Sequence, residues 1–273
     1  MPKKRNINME LWQIIVALIQ GLVEWLPISS EGQVVFFIYN FTTVPPEEIM
    51  SLVIWLHFGT ALAVIVRYPR TILELISLKD KKLLKHLILA TIATAITAIP
   101  IYVFLKTSIS VFYGELLNIL VGVLLVVTAI MLYIPTRKTD EAVFTQETRE
   151  VSEREAIVTG LVQGASVLPG LSRSGVTIST LLMHKIDKET ALRFSFLMSV
   201  PAVLGILLLE ILTGAQIPTS VTVSDLVIIE LVVFVVGLAS MEFLLRLARK
   251  VSFWKLCLIL ALVAILFGLP ALI

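Results

Sequence analysis

The sequence is poor in cysteine and in charge. Of its 273 residues only Cys257 is a cysteine, and 15% are charged, with a formal net charge of +2. A single thiol cannot form an intramolecular disulfide, so a disulfide-stapled fold is excluded. The small net charge does not indicate a nucleic-acid partner. No P-loop, zinc-ligand cluster or dinucleotide fingerprint occurs in the sequence, so the common nucleotide and zinc sites are not predicted either.

Hydrophobic residues are what the chain has in excess. They make up 58% of it, and the mean hydropathy of +0.97 is far above what a soluble domain needs. Long uncharged runs approach the roughly 20 residues that cross the hydrocarbon core of a bilayer. We therefore predict an all-α, multi-pass integral protein of the cell membrane. Six full transmembrane helices are predicted, at residues 51–66, 86–105, 116–134, 191–212, 226–245 and 254–272.

Two further apolar stretches, residues 11–39 and 156–183, are each too long for one span and are broken near their middle. The first contains QGLVEWLPISSEGQ and the second QGASVLPGLSRSG, so proline, glycine and serine interrupt both. Broken backbone at membrane depth is tolerated only where protein or a water-filled cavity satisfies its polar groups. We therefore interpret both stretches as re-entrant helical hairpins.

The two broken stretches are similar to one another. Gln20 and Ser30 are ten residues apart, as are Gln163 and Arg173, and a glycine follows two residues later in each stretch. Chance recurrence of common residues in an apolar sequence is the alternative explanation. The shared spacing predicts an internal repeat.

Charge asymmetry indicates how the two repeats are oriented. Seventeen of the 22 Lys and Arg residues lie in loops on one side of the predicted spans, which the positive-inside rule makes cytoplasmic. Three full spans then separate the hairpins, so these enter from opposite faces and their tips can meet near the midplane. The arrangement predicts an inverted-topology repeat within one membrane domain, residues 1–273. Repeat one covers about 11–134 and repeat two about 156–272, and a charged cytoplasmic loop, 135–155, joins them.

Arg173 is the one basic residue in the break of an apolar hairpin. A guanidinium at that depth is costly without a partner and is therefore a candidate functional residue. Its fork of donors suits phosphate, and the Gly/Ser-rich turn around it can present backbone N–H groups to the same anion. The alternative is a structural arginine neutralised by Glu24 or Glu31. Both interpretations can hold, because an empty anion site needs a counter-ion.

The break of the first hairpin combines hydroxyl and carboxyl groups. Ser29 and Ser30 lie between Glu24 and Glu31, which are the only acidic residues of this hairpin. A hydroxyl beside a carboxylate that can take its proton is the general arrangement of an activated nucleophile. The alternatives are a serine that only caps a helix and a glutamate that only binds an ion or substrate. No histidine is predicted to be catalytic, although His57 lies inside a span and could face the cavity.

Three segments together resemble a known family. GLVEWLPISSEG, GLVQGASVLPGLSRSGVTIS and RFSFLMSVPAVLG are similar to the undecaprenyl pyrophosphate phosphatases, the integral-membrane bacitracin-resistance proteins. The resemblance extends over nearly the whole chain, and the motif from Pro169 to Ser179 is specific. It implies hydrolysis of a C55-type polyprenyl diphosphate to the monophosphate and phosphate, for recycling of a carrier lipid, in a midplane site between two inverted repeats.

The resemblance also implies roles for individual residues. Glu24, Ser30 and Arg173 match catalytic positions, with Ser30 as the nucleophile and Arg173 as the phosphate-binding residue. Glu24 is also the position expected to contact a divalent cation, Mg²⁺ or Ca²⁺. The residues expected to contact substrate around them are Gln20, Ser29, Glu31, Gln33, Ser172, Ser174, Gly175 and Thr177.

Three positions depart from the family pattern. Gln20 stands where the family has a glutamate, Glu31 where it has a threonine, and Gln33 where it has a histidine. An amide can hold a phosphate or a water but cannot act as a general base, and a divalent cation loses a carboxylate ligand. Glu31 could compensate, because it is a new carboxylate beside Ser30.

These departures leave two functions open. The first is the diphosphate phosphatase, and the second is a polyprenyl-phosphate transporter or flippase that uses the same anion site without hydrolysis. The predicted partners in both cases are a polyprenyl diphosphate lipid and the bilayer. A homodimer stays open, because the sequence gives no oligomeric state.

Overall fold

The computed structural model describes residues 10–108, 115–137, 149–213, 218–248 and 252–272. Within these ranges the chain is α-helical, with no strand. The eleven α-helices are α1 Leu11–Val23, α2 Ser30–Phe41, α3 Pro46–Arg67, α4 Pro69–Ile76, α5 Lys81–Ser108, α6 Glu115–Arg137, α7 Glu153–Gly164, α8 Arg173–Met183, α9 Lys188–Leu212, α10 Val223–Ala248 and α11 Phe253–Gly268. The prediction of an all-α protein is confirmed.

Five of the described helices are long and apolar enough to cross a membrane. They lie at Pro46–Arg67, Lys81–Leu105, Glu115–Thr136, Lys188–Leu212 and Val223–Phe243. These are the first five of the six predicted spans, so a multi-pass membrane protein is confirmed. The sixth predicted span, 254–272, is occupied by α11, which has only 16 residues. This helix ends at Gly268, two residues before Pro270, which cannot donate an N–H to an α-helix, and the chain continues as a 3₁₀ turn.

The outer surface of the bundle is apolar, as a lipid-facing surface requires. On α5 the side chains of Ile88, Ile92, Ile96 and Ile99 are all exposed. Their spacing of three or four residues forms one continuous stripe along the helix. In water such a stripe would be unfavourable, whereas lipid tails are as apolar as the side chains themselves.

Both predicted hairpins are helix–break–helix units with the same capping geometry. The first break separates α1 from α2, where the Ser29 side chain accepts from the backbone N–H of Gly32 at 3.1 Å. The second separates α7 from α8, where Ser172 accepts from Gly175 N–H, also at 3.1 Å. Each serine satisfies one of the N–H groups that a helix start leaves unpaired. The common spacing in the two motifs therefore corresponds to a common local structure.

The two breaks are in direct contact with one another. The backbone N–H of Gly170 donates to Ser29 Oγ at 3.2 Å. A Cβ added at Gly32 would lie 3.0 Å from the Gly170 Cα, so a larger residue at position 32 would push the breaks apart. Gly170 has a φ of +106°, in the region that favours glycine. Glycine at both positions allows the N-terminal ends of α2 and α8 to meet.

Side chains of neighbouring helices form hydrogen bonds with the backbone of each break. The hydroxyl of Thr128, on α6, donates to the Gly170 carbonyl at 3.2 Å and accepts from Ser172 N–H at 3.1 Å. The thiol of Cys257, on α11, donates to the carbonyl of Pro27 at 3.3 Å. These contacts satisfy backbone groups that the interrupted helices cannot pair themselves. The single cysteine is therefore a buried structural residue.

Helix packing is related between the two halves of the chain. Helix α1 packs against α10, and α7 packs against α5, while α6 and α11 lie along one another and α3 contacts α9. Trp25 follows α1 and is fully buried, with its indole N–H donating to the Gly237 carbonyl at 2.9 Å. Its ring meets that of Phe196 edge to face at 5.5 Å. The first break is thus fixed to both α10 and α9.

Candidate active site

A cavity of about 360 Å³ lies beside the junction of the two breaks. Both breaks contribute polar lining residues, and α3, α5 and α9 contribute most of the apolar ones. Gly205, on α9, is part of the wall, and a Cβ added there would meet open space. A polar region that continues into an apolar one suits a ligand with a charged head and a hydrocarbon chain.

Glu24 is the centre of the polar region. Its carboxylate is buried, with 5% of the residue exposed. One oxygen, Oε2, accepts from the Gln20 amide at 3.0 Å and from the Ser30 hydroxyl at 2.5 Å. The other, Oε1, forms an ion pair with the guanidinium of Arg173. A buried carboxylate is tolerated here because hydrogen bonds and a positive charge compensate its loss of hydration.

Arg173 is the first residue of α8 and projects from the second break toward the first. Besides its ion pair with Glu24, its guanidinium donates to the Ser195 carbonyl at 3.4 Å. Its side chain lines the cavity and is 16% exposed. The structure thus pairs Arg173 with Glu24 and also leaves it accessible from the cavity, as an anion site with an internal counter-ion would require.

Ser29 and Ser30 have different environments. Ser29 has a left-handed backbone, with φ of +61°, and its oxygen already accepts two backbone N–H groups, from Gly32 and Gly170. Ser30 instead donates its hydroxyl to Glu24. Only Ser30 is therefore aligned with a carboxylate that could take its proton. Ser29 adopts a left-handed backbone at a cost of about 1 kcal/mol for a non-glycine residue. This turn starts α2 so that the Ser30 hydroxyl points toward Glu24.

The polar residues around Arg173 mainly hold the start of α8. Ser174 donates to the Leu26 carbonyl at 3.2 Å and therefore ties the two breaks together. Thr177 donates to the Arg173 carbonyl at 2.8 Å and lies 2.7 Å from the hydroxyl of Ser195. Ser172, Arg173 and Ser174 line the cavity, whereas Gly175 and Thr177 are not among its lining residues.

The three positions that depart from the family pattern differ in whether they line the cavity. Glu31 is half-buried and lines the cavity. Gln20 is fully buried and reaches the site only through Glu24, and its carbonyl oxygen has no hydrogen-bond partner among the described residues. Gln33 is not a lining residue, and its amide donates to the Ile28 carbonyl at 3.4 Å. Of the three, only Glu31 is placed to contact a ligand directly.

His57 is part of the site, although it was not predicted to have a catalytic role. It lies on α3, lines the cavity and places Nε2 at 3.6 Å from Glu24 Oε2. Its position inside a span, just before Phe58 and Gly59, was the one signal that it could face a cavity. Thr128 and Ser195, which support the second break, carried no signal in the sequence.

The described residues do not by themselves form a cation site. No group of three His, Cys, Asp or Glu side chains clusters as ligands within the described part of the chain. Both oxygens of Glu24 are occupied by donors, one of them the Arg173 guanidinium, which a divalent cation would have to displace. The described residues therefore do not by themselves fit a resident cation.

Comparison with known proteins identifies the family. Residues 13–266 match the family model described as "Bacitracin resistance protein BacA". The chain belongs to the BacA family. A BacA-family relative from Methanopyrus kandleri, named "Undecaprenyl-diphosphatase", is 39% identical over 270 residues, which cover 97% of this chain and 98% of the relative.

Two further relatives carry the same name. The protein from Methanothrix thermoacetophila is 36% identical over 255 residues, which cover 93% of this chain and 95% of the relative. The protein from Haloarcula marismortui is 36% identical over 262 residues, which cover 92% and 94%. The family that the motifs resembled is therefore confirmed over almost the full length.

Proposed function

We propose that this chain hydrolyses a polyprenyl diphosphate of the undecaprenyl type to the monophosphate and phosphate, so that the carrier lipid is recycled. The observation that carries the proposal is the contact between Ser30, Glu24 and Arg173 in one cavity. It combines a hydroxyl nucleophile, a carboxylate base and a phosphate-binding cation, which together supply what phosphoryl transfer needs. The name of the relatives supports the same reaction.

The diphosphate head would lie at Arg173, where the N-terminal end of α8 favours an anion. The guanidinium would bind the terminal phosphate through N–H groups other than the one that pairs with Glu24. The prenyl chain would follow the apolar wall formed by α3, α5 and α9, past Gly205. Because these helices carry exposed apolar side chains, a long chain can extend from the cavity into lipid.

In the first chemical step Ser30 Oγ forms a bond to the terminal phosphorus. The bond from that phosphorus to the bridging oxygen breaks, and the polyprenyl monophosphate leaves with the bridging oxygen. The hydroxyl proton passes to Glu24 Oε2, which already accepts the hydrogen bond. Water then cleaves the phosphoserine and releases phosphate, which returns Ser30 to its hydroxyl form.

The arrangement in the membrane is part of the same proposal. One membrane domain would contain two inverted repeats, about 11–134 and 156–272, each with a re-entrant hairpin, and α11 with its 3₁₀ extension would be the sixth span. The matching serine caps of α2 and α8 and the paired packing of α1 on α10 and α7 on α5 support it. Of the joining loop, 135–155, residues 138–148 lie outside the described residues.

Two predictions remain open within this proposal. A divalent cation would have to come with the diphosphate, since Glu24 is already occupied, and phosphate release with and without a chelator tests it. The homodimer is tested by the mass of the purified protein in detergent. Transport without hydrolysis is not favoured, because the relatives are named as diphosphatases.

The deciding experiment is phosphate release by purified protein from undecaprenyl diphosphate in detergent. We expect Ser30→Ala, Glu24→Gln and Arg173→Ala to lose it. Arg246→Ala is the matched control, since this arginine is 73% exposed and bonds to Glu242 away from the cavity. Wild-type protein that binds the lipid but releases no phosphate would contradict the proposal and favour transport.

A further inference from the structure

His57 is fixed in orientation by its own helix. It shares one face of α3 with Met50 and Ile54, at a spacing of seven and three residues, and all three line the cavity. Its Nδ1 lies 2.7 Å from the Val53 carbonyl. Because a carbonyl can only accept, Nδ1 carries the hydrogen of this bond, and Nε2 is the nitrogen left for the site.

His57 Nε2 faces the Glu24 carboxylate, which accepts the Ser30 hydroxyl. Nε2 lies 3.6 Å from Glu24 Oε2, the same oxygen that accepts the Ser30 hydroxyl. At this distance the two groups are in contact without the short hydrogen bond that would occupy Nε2. Of the described histidines, His57 is the one that lines this cavity.

Glu24 is well placed to receive a proton but poorly suited to keep it. Arg173 and the amide of Gln20 both stabilise its ionised form. A proton transferred from Ser30 would therefore be held more favourably by a neighbouring imidazole. The amide at position 33 cannot provide this, since Gln33 does not line the cavity and an amide is not a base.

We propose that His57 acts through Glu24 as the proton store of the reaction. The inference rests on the proposed hydrolysis. As Ser30 Oγ bonds to phosphorus and the bridging P–O bond breaks, the hydroxyl proton passes to Glu24 Oε2 and on to His57 Nε2. When water cleaves the phosphoserine, the proton returns by the same route to Ser30 Oγ, and the proton released by that water leaves with the phosphate.

Other charged groups face this part of α3. Arg173 and Glu31 line the same cavity, and Glu230, on α10, accepts from the Gly59 backbone N–H at 2.6 Å. A change in the pH dependence alone could therefore arise from several groups. Chemical rescue by free imidazole is specific to the missing side chain and is the sharper measurement.

The test compares His57→Gln and His57→Ala with wild type in phosphate release. We expect kcat to fall about 100-fold or more, with KM within about threefold, and free imidazole to restore part of the rate in His57→Ala. His184→Gln is the matched control. His184 has the same anchor, with Nδ1 2.8 Å from the carbonyl four residues earlier, but does not line the cavity. Its rate should not change.

Three outcomes are informative. If His57→Gln retains the wild-type kcat, the relay is wrong, even though Ser30→Ala is inactive and the hydrolysis itself stands. If both His57 variants fold with normal thermal stability, lose activity and show no rescue by imidazole, His57 has a positioning role only and the relay is also wrong. If the wild type releases no phosphate, the proposed hydrolysis is wrong, and the relay is wrong with it.

Discussion

Arg173 and Glu24, which lie 149 residues apart in the chain, form an ion pair that joins the two broken helices at the cavity. The pair combines the two interpretations of Arg173 that the sequence left open. It neutralises a buried carboxylate, and it holds in place, beside the cavity, the guanidinium that we propose binds phosphate.

Structural and catalytic roles of this pair can be separated by a double substitution. Arg173→Ala leaves the Glu24 carboxylate buried without its partner, which we expect to lower stability by about 3 kcal/mol. Adding Glu24→Gln removes the uncompensated charge and should restore most of the stability but none of the activity. Thermal unfolding in detergent and phosphate release measure the two effects. A double variant as unstable as Arg173→Ala would contradict the charge explanation.

The two adjacent serines should respond differently to substitution. Ser30→Ala removes the hydroxyl that donates to Glu24, so phosphate release should be lost while thermal stability changes little. Ser29→Ala removes the helix cap and should lower stability by about 1 kcal/mol. Ser29→Gly is the control, because glycine tolerates the left-handed backbone and costs only a few tenths of a kcal/mol at a helix cap. Equal loss of activity in Ser29→Gly and Ser30→Ala would argue against Ser30 as the nucleophile.

We expect Glu31 to be required for phosphate release if its carboxylate compensates for the amides at Gln20 and Gln33. Glu31→Gln keeps the size of the side chain but removes its charge, and we expect phosphate release to be abolished. Gln33→Glu serves as the comparison, since Gln33 does not line the cavity and a new charge there should not raise the rate. Full activity in Glu31→Gln would show that Glu24 is sufficient.

The sequence could predict the helices and the breaks because each has a local cause. Apolar runs of span length predict a transmembrane helix wherever they occur, and at the sixth predicted span the α-helix is shorter than the apolar run, because it ends at Gly268 just before Pro270. Glu24 was one of two partners predicted for Arg173, with Glu31, because a buried charge needs a counter-ion and these are the only acids of the first hairpin.

What the sequence could not predict depends on the packing of helices. His57 meets Glu24 because α3 turns one face to the first break, and neither residue carries that information locally. The same is true of Gln33, which belongs to the motif but does not line the cavity. Motif membership therefore indicated the neighbourhood of the site but not which side chains reach it.

The open wall at Gly205 is expected to control access for the prenyl chain. A Cβ there meets open space, so the larger side chain of Gly205→Phe begins without a clash, and we expect its ring to fill part of the cavity. We expect KM for undecaprenyl diphosphate to rise several-fold with little change in thermal stability. Leu204→Phe is the control, since Leu204 is 44% exposed on the outer surface and does not line the cavity. An unchanged KM in Gly205→Phe would place the chain elsewhere.

Stability at low pH should depend on Glu155, at the start of α7. Its carboxylate, nearly buried, accepts two bonds from Arg149, at 2.6 and 3.1 Å, and two from Ser152. Burial alone would raise the pKa of Glu155, but these hydrogen bonds and the Arg149 charge lower it to about 2 from its ordinary value of 4.5. Because the folded-state pKa is the lower one, the stabilisation is complete above about pH 4.5 and is lost as the pH falls toward 2.

Glu155→Gln should therefore lower stability by about 1–3 kcal/mol at pH 7, and the difference from wild type should shrink as the pH falls below 4.5. Thermal unfolding in detergent at pH 7 and pH 3.5 measures it. Glu153→Gln is the matched control, two residues away in the same helix turn, because its pair with Lys85 is exposed and such pairs contribute little. Arg149 also donates to the His184 carbonyl at the end of α8, so Glu155 helps to hold α7 against that end. If the stability difference between Glu155→Gln and wild type stayed constant with pH, the contribution of Glu155 would come from its shape and not from its charge.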